Sequence, residues 1–218
     1  MKKLITPFRK SMSEAGIWSS NEIETIWDFY VTKSVASSAC QKRTAGDYGL
    51  KELPFDGLLD QAKVPPDKRE MLMADTMNKT LKEYDFAYSE KTREHEGDKA
   101  RTIDVPIEID MPRVLCLQPY SISDRGNPTA KGGGKAVTLL THIRNSFAHG
   151  NTYFFDNKMA LFEDRNAGAS GKTTAMILIP QASVIDWIKM VDIDGRFYFR
   201  DEPRDVFKKY DIRLKDSK

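Results

Sequence analysis

"KAVTLLTHIRNSFAHG", residues 135–150, combines a helical pattern with a dense set of polar side chains. At 100° per residue, the apolar and the polar residues form two stripes on roughly opposite sides of a helix. The apolar stripe consists of Ala136, Leu140, Ile143 and Phe147, and the polar stripe of Thr138, His142, Asn145 and His149. Gly150 stands where a left-handed residue ends a helix. The stretch therefore predicts one helix with an apolar core face and a polar face that has no acidic residue.

The polar groups near the end of this helix suit phosphodiester chemistry. Arg144 lies between the two stripes, and Asn145 and His149 form an i,i+4 pair. A guanidinium can hold phosphate oxygens and stabilise developing negative charge, and a histidine can move a proton near neutral pH. A structural role is the alternative: Arg144 would pair with a carboxylate, Asn145 would bond a loop or the helix end, and His149 would donate to a carbonyl. The residues alone leave both interpretations open.

The string Arg144-Asn145-Ser146-Phe147-Ala148-His149 resembles the signature of the HEPN superfamily, an Arg and a polar residue followed by a His near a helix end. The resemblance is specific over residues 136–166. It implies a mainly α-helical bundle with a small β-hairpin or three-stranded sheet after the motif helix. It also implies a homodimer whose two motifs share one cleft. Active members of this superfamily cut RNA without a metal or other cofactor, and others are catalytically silent binding modules.

The resemblance assigns a role to each motif residue. His149 would act as general base or acid, Arg144 would stabilise the phosphorane, and Asn145 would orient these groups. Attack by the ribose 2′-hydroxyl would give 2′,3′-cyclic phosphate and 5′-hydroxyl ends. The expected function is a metal-independent endoribonuclease of the toxin or phage-defence kind, with an antitoxin or regulatory protein as a further partner. The alternative is a silent module, or an antitoxin or immunity subunit, that binds RNA or a protein.

Three further residues are candidates for RNA contact. His142 shares the polar stripe but lies outside the family motif. Lys131 and Lys135 flank the glycines of "KGGGK", residues 131–135, whose backbone amides could cradle phosphate at the start of the helix. A flexible linker is the alternative interpretation of the glycines. We therefore treat His142, Lys131 and Lys135 as secondary to the motif.

Other motifs that could indicate a binding or catalytic site are incomplete in this sequence. "AGASGKTT", residues 167–174, contains Gly-Lys-Thr, but Asn166 replaces the first glycine of a phosphate-binding loop and a strand pattern follows. The two cysteines, Cys40 and Cys116, form neither a disulfide framework nor a metal-ligand pattern, and we expect core thiols in a reducing compartment. His95, between two glutamates, is expected in an exposed loop. No metal site is predicted.

Composition limits the class of partner. The chain has 34 Lys and Arg against 32 Asp and Glu, so any contact with nucleic acid must depend on a local group of charges. No stretch approaches the roughly 20 apolar residues of a membrane span. We therefore expect a cytoplasmic protein without a membrane partner.

The sequence as a whole predicts a helical domain over residues 1–192, which includes a hairpin at 151–180. A C-terminal extension over 193–218 is expected to pack on this domain or to flank it. The remaining expected elements follow in chain order. They are a helix from Asn21 to about Cys40, a helix from Asp67 to about residue 90, an irregular stretch at 92–135 with one short strand, a helix from Ser183, a short strand in "GRFYFR" and a short helix in "EPRDVFKKY".

Overall fold

The computed structural model describes most of the chain in eight ranges. They are residues 6–7, 17–35, 43–74, 111–122, 128–130, 134–155, 157–165 and 173–211. These ranges contain four α-helices and seven β-strands. The helices are α1 (Ser20–Trp27), α2 (Phe55–Gln61), α3 (Gly134–Ala148) and α4 (Ser183–Val191). The strands are β1 (Thr6–Pro7), β2 (Arg69–Ala74), β3 (Arg113–Ile122), β4 (Pro128–Ala130), β5 (Thr152–Phe154), β6 (Met159–Arg165) and β7 (Thr173–Pro180).

One mixed sheet organises these elements. Its order is β1-β5-β6-β7-β3-β2, and β4 pairs with the far end of β3. Strands β2 and β3 are parallel, whereas every other described pair is antiparallel. The expected mainly α-helical bundle is therefore wrong, because the chain is an α/β protein. The three-stranded sheet expected after the motif helix is present as β5, β6 and β7, but it forms one half of this larger sheet.

The central strands are buried on both faces, which explains their sequence. In β7, the six residues from Thr174 to Ile179 are all buried. One face of the sheet, with Phe162 and Ile177, joins the core shared with the helices, and Leu161 and Leu178 of the other face are also buried. Strands covered on both faces are nearly continuous apolar runs without a polar alternation. The run "AMILI" in β7 has this pattern.

The expected helix from Asp67 is wrong over its described part. After a 3-10 turn at Pro66–Lys68, the chain enters β2 and pairs in parallel with β3. Glu70, which a helix would use near its N-terminus, instead accepts a hydrogen bond from Arg113 at 2.8 Å. Pairing with a distant strand thus overrides the helical preference of Met, Leu, Glu and Ala. The rest of the expected helix lies outside the described residues.

Strand β3 also differs from the expected irregular stretch, since it is ten residues long. The prolines at positions 106, 112 and 119 made the sequence look irregular, but only Pro119 lies within the strand. Pro119 pairs in register with Ala74 of β2, but on the other side of β3 the pairing with β7 ends at Cys116, before the proline is reached. The missing N–H of Pro119 therefore costs that ladder no hydrogen bond.

The N-cap of the first helix lies two residues before Asn21, the residue at which we expected this helix to begin. Ser19 is the N-cap, and its hydroxyl and backbone form a capping box with Glu22. A π-helical turn at Asp28–Thr32 extends α1, so the helical part stops at Thr32 and not near Cys40. Cys40 and His95 lie outside the described residues.

Helix α3 is the central helix, and each of its ends lies within one residue of the predicted end. It packs on β6 and β3, and on the turn at Asp28–Thr32. Phe147 places its ring 5.7 Å from that of Tyr30 and 5.2 Å from that of Phe162. The apolar stripe is fully buried, as expected. The polar stripe is partly buried too, because Thr138 and His142 are each only 6% exposed.

The C-terminal part packs on this core as far as residue 211. Helix α4 starts at Ser183 as predicted, and Trp187 Nε1 donates to the Leu58 carbonyl at 2.8 Å. The expected strand in "GRFYFR" is wrong, since these residues form turns. The short helix that follows is the 3-10 helix Arg204–Tyr210, which buries Tyr210 against the core. Among the described helices, none combines the length and apolar character of a membrane span.

Candidate active site

The end of α3 is fixed by a hydrogen-bonded cap. The N–H of Asn151 donates to the Ser146 carbonyl at 2.9 Å, and the N–H of Gly150 donates to the Phe147 carbonyl at 3.2 Å. Gly150 has φ +67°, so this is a Schellman motif that requires a left-handed residue at that position. His149 is the last residue before the glycine, and it is exposed. The cap therefore presents the imidazole of His149 at the surface.

The carboxylate of Asp164 on β6 lies beneath α3 and holds two of its polar side chains. Its Oδ2 lies 2.7 Å from Nδ1 of His142 and accepts a hydrogen bond from Nδ2 of Asn145 at 2.9 Å. Asp164 is 6% exposed, so both interactions are made away from water. A buried carboxylate needs such partners, because an unpaired buried charge is costly. Asp164 thus provides the acid that the polar stripe of α3 lacks.

His142 and Asp164 share one proton. Nε2 of His142 lies 2.9 Å from the carbonyl oxygen of Leu117, which can only accept, so Nε2 carries a hydrogen. Nδ1 faces a carboxylate oxygen at 2.7 Å. Two lone pairs at that distance would repel, so a proton lies between Nδ1 and Oδ2. Either the pair is imidazolium and carboxylate, or the acid form of Asp164 donates to a neutral ring.

The strands leave room for this imidazole. Asp164 pairs with Ala175 of β7, and Ala175 pairs with Cys116 of β3. His142 contacts Asp164 of β6 through one ring nitrogen and the carbonyl of Leu117 of β3 through the other, and β7 lies between these two strands. A register shift next to Asp164 adds one residue to β7 at this point. Such a bulge re-aims the neighbouring side chains.

Asn145 links the buried pair to Arg144. While Nδ2 of Asn145 donates to Asp164, its Oδ1 accepts from Nη1 of Arg144 at 3.1 Å. The guanidinium can only donate, so the amide atom that faces it is the oxygen, and the atom that faces Asp164 is the nitrogen. Arg144 is partly buried, and its Nε has no hydrogen-bond partner within the described residues. Asn145 therefore orients the guanidinium. Because Nε is itself buried, the donors left for a further acceptor are those on the Nη atoms.

The structure brings the motif residues together at one end of α3. The N–H of His149 donates to the carbonyl of Asn145 at 2.9 Å, so the two residues lie one helical turn apart on the same face. Within the described part of the chain, no hydrogen bond or ion pair engages the His149 imidazole. Asp164 belongs to the same cluster, although sequence reasoning missed it.

The three secondary candidates are placed elsewhere. His142 is buried with both ring nitrogens engaged, so it does not face solvent where RNA could reach it. Lys135 is exposed at the opposite end of α3, far from His149. Lys131 lies outside the described residues. In the ranges that the structure describes, no three His, Cys, Asp or Glu side chains form a group that could hold a metal ion.

The surroundings of Asp164 also act on a nearby thiol. Cys116 of β3 is fully buried, and burial, followed by the negative charge of Asp164, raises the pKa of this thiol well above its ordinary value. The thiol is therefore held in its neutral form. This agrees with the expectation that Cys116 is a core residue.

No protein-family model, no curated protein and no solved structure matches the chain.

Proposed function

We propose that the protein is a cytoplasmic endoribonuclease whose reaction is carried by Arg144 and His149. The single observation that supports this proposal is the arrangement at the end of α3. There, an exposed imidazole stands one turn from an amide that orients a guanidinium. The proposal does not depend on a helical bundle, which this chain does not form. It rests on these side chains and on the motif string that resembles the HEPN signature.

The proposed reaction is transesterification at phosphorus. The ribose 2′-oxygen attacks the phosphorus, the bond from phosphorus to the 5′-oxygen breaks, and the products are a 2′,3′-cyclic phosphate and a 5′-hydroxyl. His149 takes the proton from the 2′-hydroxyl or gives one to the leaving 5′-oxygen. Arg144 stabilises the extra negative charge of the phosphorane. Asn145, held by Asp164, is the positioning residue for Arg144.

A homodimer would supply the second proton-transfer group. One exposed histidine cannot be base and acid in the same step, but the His149 of a second copy could take the other role. A two-fold axis near the end of α3 would place both motifs on one RNA strand. Sizing of the purified protein at micromolar concentration tests this part, and a monomer would contradict it.

The test of the activity incubates purified protein with a defined RNA in excess EDTA. Wild type, Arg144→Ala and His149→Ala are compared, with Arg200→Ala as a control that removes an exposed arginine from the turn at residues 196–200. We expect wild type and the control to cut, and both motif variants to lose cleavage. The new ends should carry cyclic phosphate and 5′-hydroxyl, and DNA of the same sequence should stay intact.

Two outcomes would reject the enzyme. One is full activity of His149→Ala, and the other is the absence of cleavage for every RNA offered. RNA that is bound by wild type but never cut would favour the catalytically silent module, in which the bonds among Asp164, His142 and Asn145 serve the fold. Binding of an antitoxin or regulatory protein belongs to the same proposal and remains a prediction.

A further inference from the structure

A cavity of about 700 Å³ lies at the opposite end of α3 from the motif. The start of α3, the segment from Glu52 to Gln61, the end of α4 and the 3-10 helix Arg204–Tyr210 surround it. Its volume falls in the usual range for small-molecule sites. With a rise of about 1.5 Å per residue, the helix separates this cavity from His149 by about 20 Å. The two sites are therefore distinct.

Two lysines give the cavity a positive part. The ammonium of Lys135 lies 5.7 Å from the centre of the Phe55 ring, and that of Lys209 lies 4.5 Å from the centre of the Tyr210 ring. Both lysines are exposed, and no carboxylate among the described residues pairs with either of them. Two unpaired ammonium groups in the lining of one cavity suit an anionic group such as a phosphate.

Carboxylates and flat rings supply the rest of the lining. Glu52 and Asp56 are exposed on the segment that precedes and opens α2. Asp60 is engaged, because it accepts a hydrogen bond from Arg69 at 2.5 Å, whereas the same guanidinium is 3.8 Å from Asp56. Glu52 and Asp56 therefore keep acceptor oxygens for hydroxyl groups. The ring of Phe55, which is half-buried, offers an apolar face on which a planar base can stack.

Hydrogen bonds around the Tyr210 hydroxyl hold its ring in place. Its hydroxyl donates to Oδ1 of Asp186 at 2.5 Å, while Oδ2 of Asp186 accepts from Gln61 Nε2 at 2.6 Å. Burial, followed by the hydrogen bond to Asp186, raises the pKa of the Tyr210 hydroxyl above its ordinary value. Tyr210 therefore forms a fixed part of the cavity lining that need not rearrange when a ligand enters.

We propose that this cavity binds a ribonucleotide unit. The phosphate contacts Lys135 and Lys209, the base stacks on Phe55, and the ribose hydroxyls donate to Glu52 or Asp56. The unit is either a free mononucleotide or one nucleotide of a single-stranded RNA, since both present the same chemistry. This site does not depend on the endoribonuclease activity, and it gives Lys135 a partner that the motif does not supply.

Calorimetric titration with adenosine 5′-monophosphate tests the site. The protein carries His149→Ala, so that no RNA probe is cut. We expect saturable binding, and the double variant Lys135→Gln/Lys209→Gln should weaken it about tenfold or more, because each lysine makes a charge-assisted hydrogen bond. Lys158→Gln is the matched control, since it removes an exposed lysine from the turn between β5 and β6. It should leave the affinity unchanged.

Further probes separate the parts of the ligand. The 2′-deoxy nucleotide should bind more weakly if carboxylates accept from the ribose hydroxyls. Phe55→Leu should weaken binding, whereas Tyr210→Phe keeps the ring and should bind nearly as well. A pentaadenylate that binds more tightly than the mononucleotide, with the same losses in the lysine variant, identifies RNA as the source. A mononucleotide that binds as well as the pentamer identifies a free nucleotide.

The proposal is overturned by any of three results. They are no binding of mononucleotide or pentamer at millimolar concentration, unchanged affinity in the double lysine variant, and inorganic phosphate that binds as tightly as the nucleotide. Circular dichroism of each variant checks that it is folded. None of these results depends on whether the wild-type protein cuts RNA, so failure of this site and failure of the proposed activity are distinguishable.

Discussion

The carboxylate of Asp164 lies 2.7 Å from Nδ1 of His142, on the underside of the helix that carries the candidate active site. This relationship joins β6 to α3 through a buried, hydrogen-bonded pair of side chains. The same oxygen of Asp164 accepts from Asn145 at 2.9 Å. Asp164 therefore fixes both the packing of the helix and the orientation of Asn145 and Arg144 near its C-terminal end.

Replacing Asp164 should lower both stability and activity. Asp164→Ala leaves the buried donors of His142 and Asn145 without an acceptor, so the free energy of unfolding should fall by about 3–5 kcal/mol. With the amide no longer held, Arg144 is misplaced, and kcat for RNA cleavage should fall about 100-fold with little change in KM. Chemical denaturation and steady-state kinetics measure the two effects.

Two variants separate positioning from stability. Because Oδ2 of Asp164 faces both His142 and Asn145, Asp164→Asn can keep an acceptor for Asn145 but cannot also donate to His142 from that atom, so it should recover more of the lost activity than of the lost stability. Glu163→Gln changes the neighbouring buried acid on the opposite face of β6, where Glu163 accepts from Thr173 at 2.9 Å. It should destabilise the protein without lowering kcat. Equal loss of kcat in Glu163→Gln and Asp164→Ala would show that stability alone explains the effect.

Local signals explain which parts of this fold could be predicted. Helix α3 was predicted with its ends because its periodicity and Gly150 lie within the same short stretch. Strands β5 to β7 and helix α4 come next in the sequence, and turn residues between them mark where each element begins and ends. The pairing of β2 with β3 is different, because the bond between Glu70 and Arg113 joins residues 43 positions apart. No local pattern specifies a parallel partner at that distance.

The same distinction applies to the candidate site. Arg144, Asn145 and His149 could be found together because one helix carries them. Asp164 was missed because it is 22 positions from His142 and on another element. A signal was nevertheless present in "MALFEDR". Ala160, Phe162 and Asp164 alternate along β6, so Asp164 shares the core face of the strand. The helix face has hydrogen-bond donors but no acid, and this strand has an acid on its core face. The two faces are therefore complementary.

The reactivity of Cys116 tests whether β3 is buried in the sheet. Because burial raises the pKa of its thiol well above 9.0, almost no thiolate exists at pH 8, and the reagent cannot reach the sulfur in the folded protein. In a Cys40→Ser background, we expect Ellman's reagent to label Cys116 only as fast as the protein unfolds. Labelling in denaturant should be immediate. Rapid labelling of the native protein would show that β3 is not buried in the sheet.

Asp192 should make stability depend on pH in the acid range. The side chain follows α4 and is almost fully buried, and burial raises its pKa above the ordinary 3.8, although the N–H groups of Tyr198 and Phe197 partly oppose this shift. Between 3.8 and the raised value, the folded state binds more protons than the unfolded state. This carboxyl therefore makes the protein less stable as pH rises through that window.

Asp192→Asn should remove this contribution. An amide oxygen still accepts from the backbone N–H of Tyr198, which donates to Asp192 at 2.9 Å, but it carries no charge. The difference in unfolding free energy between the variant and wild type should shift in favour of the variant as pH rises above about 4. Urea denaturation at several pH values between 3 and 7 measures it. A difference that is constant over this range would contradict the raised pKa.

Gly195 tests the packing of the C-terminal segment on the core. It has φ +62°, and a Cβ at this position would lie 2.7 Å from the Phe207 ring and 3.1 Å from the Phe199 carbonyl oxygen. Gly195→Ala should therefore lose about 1 kcal/mol to backbone strain and about 1–3 kcal/mol more to overpacking. Gly49→Ala is the matched control, since Gly49 has φ +75° and open space around its Cβ position. Thermal and urea denaturation should show a clearly larger loss at Gly195 than at Gly49, and equal losses would mean that Phe207 does not pack against the turn at Gly195.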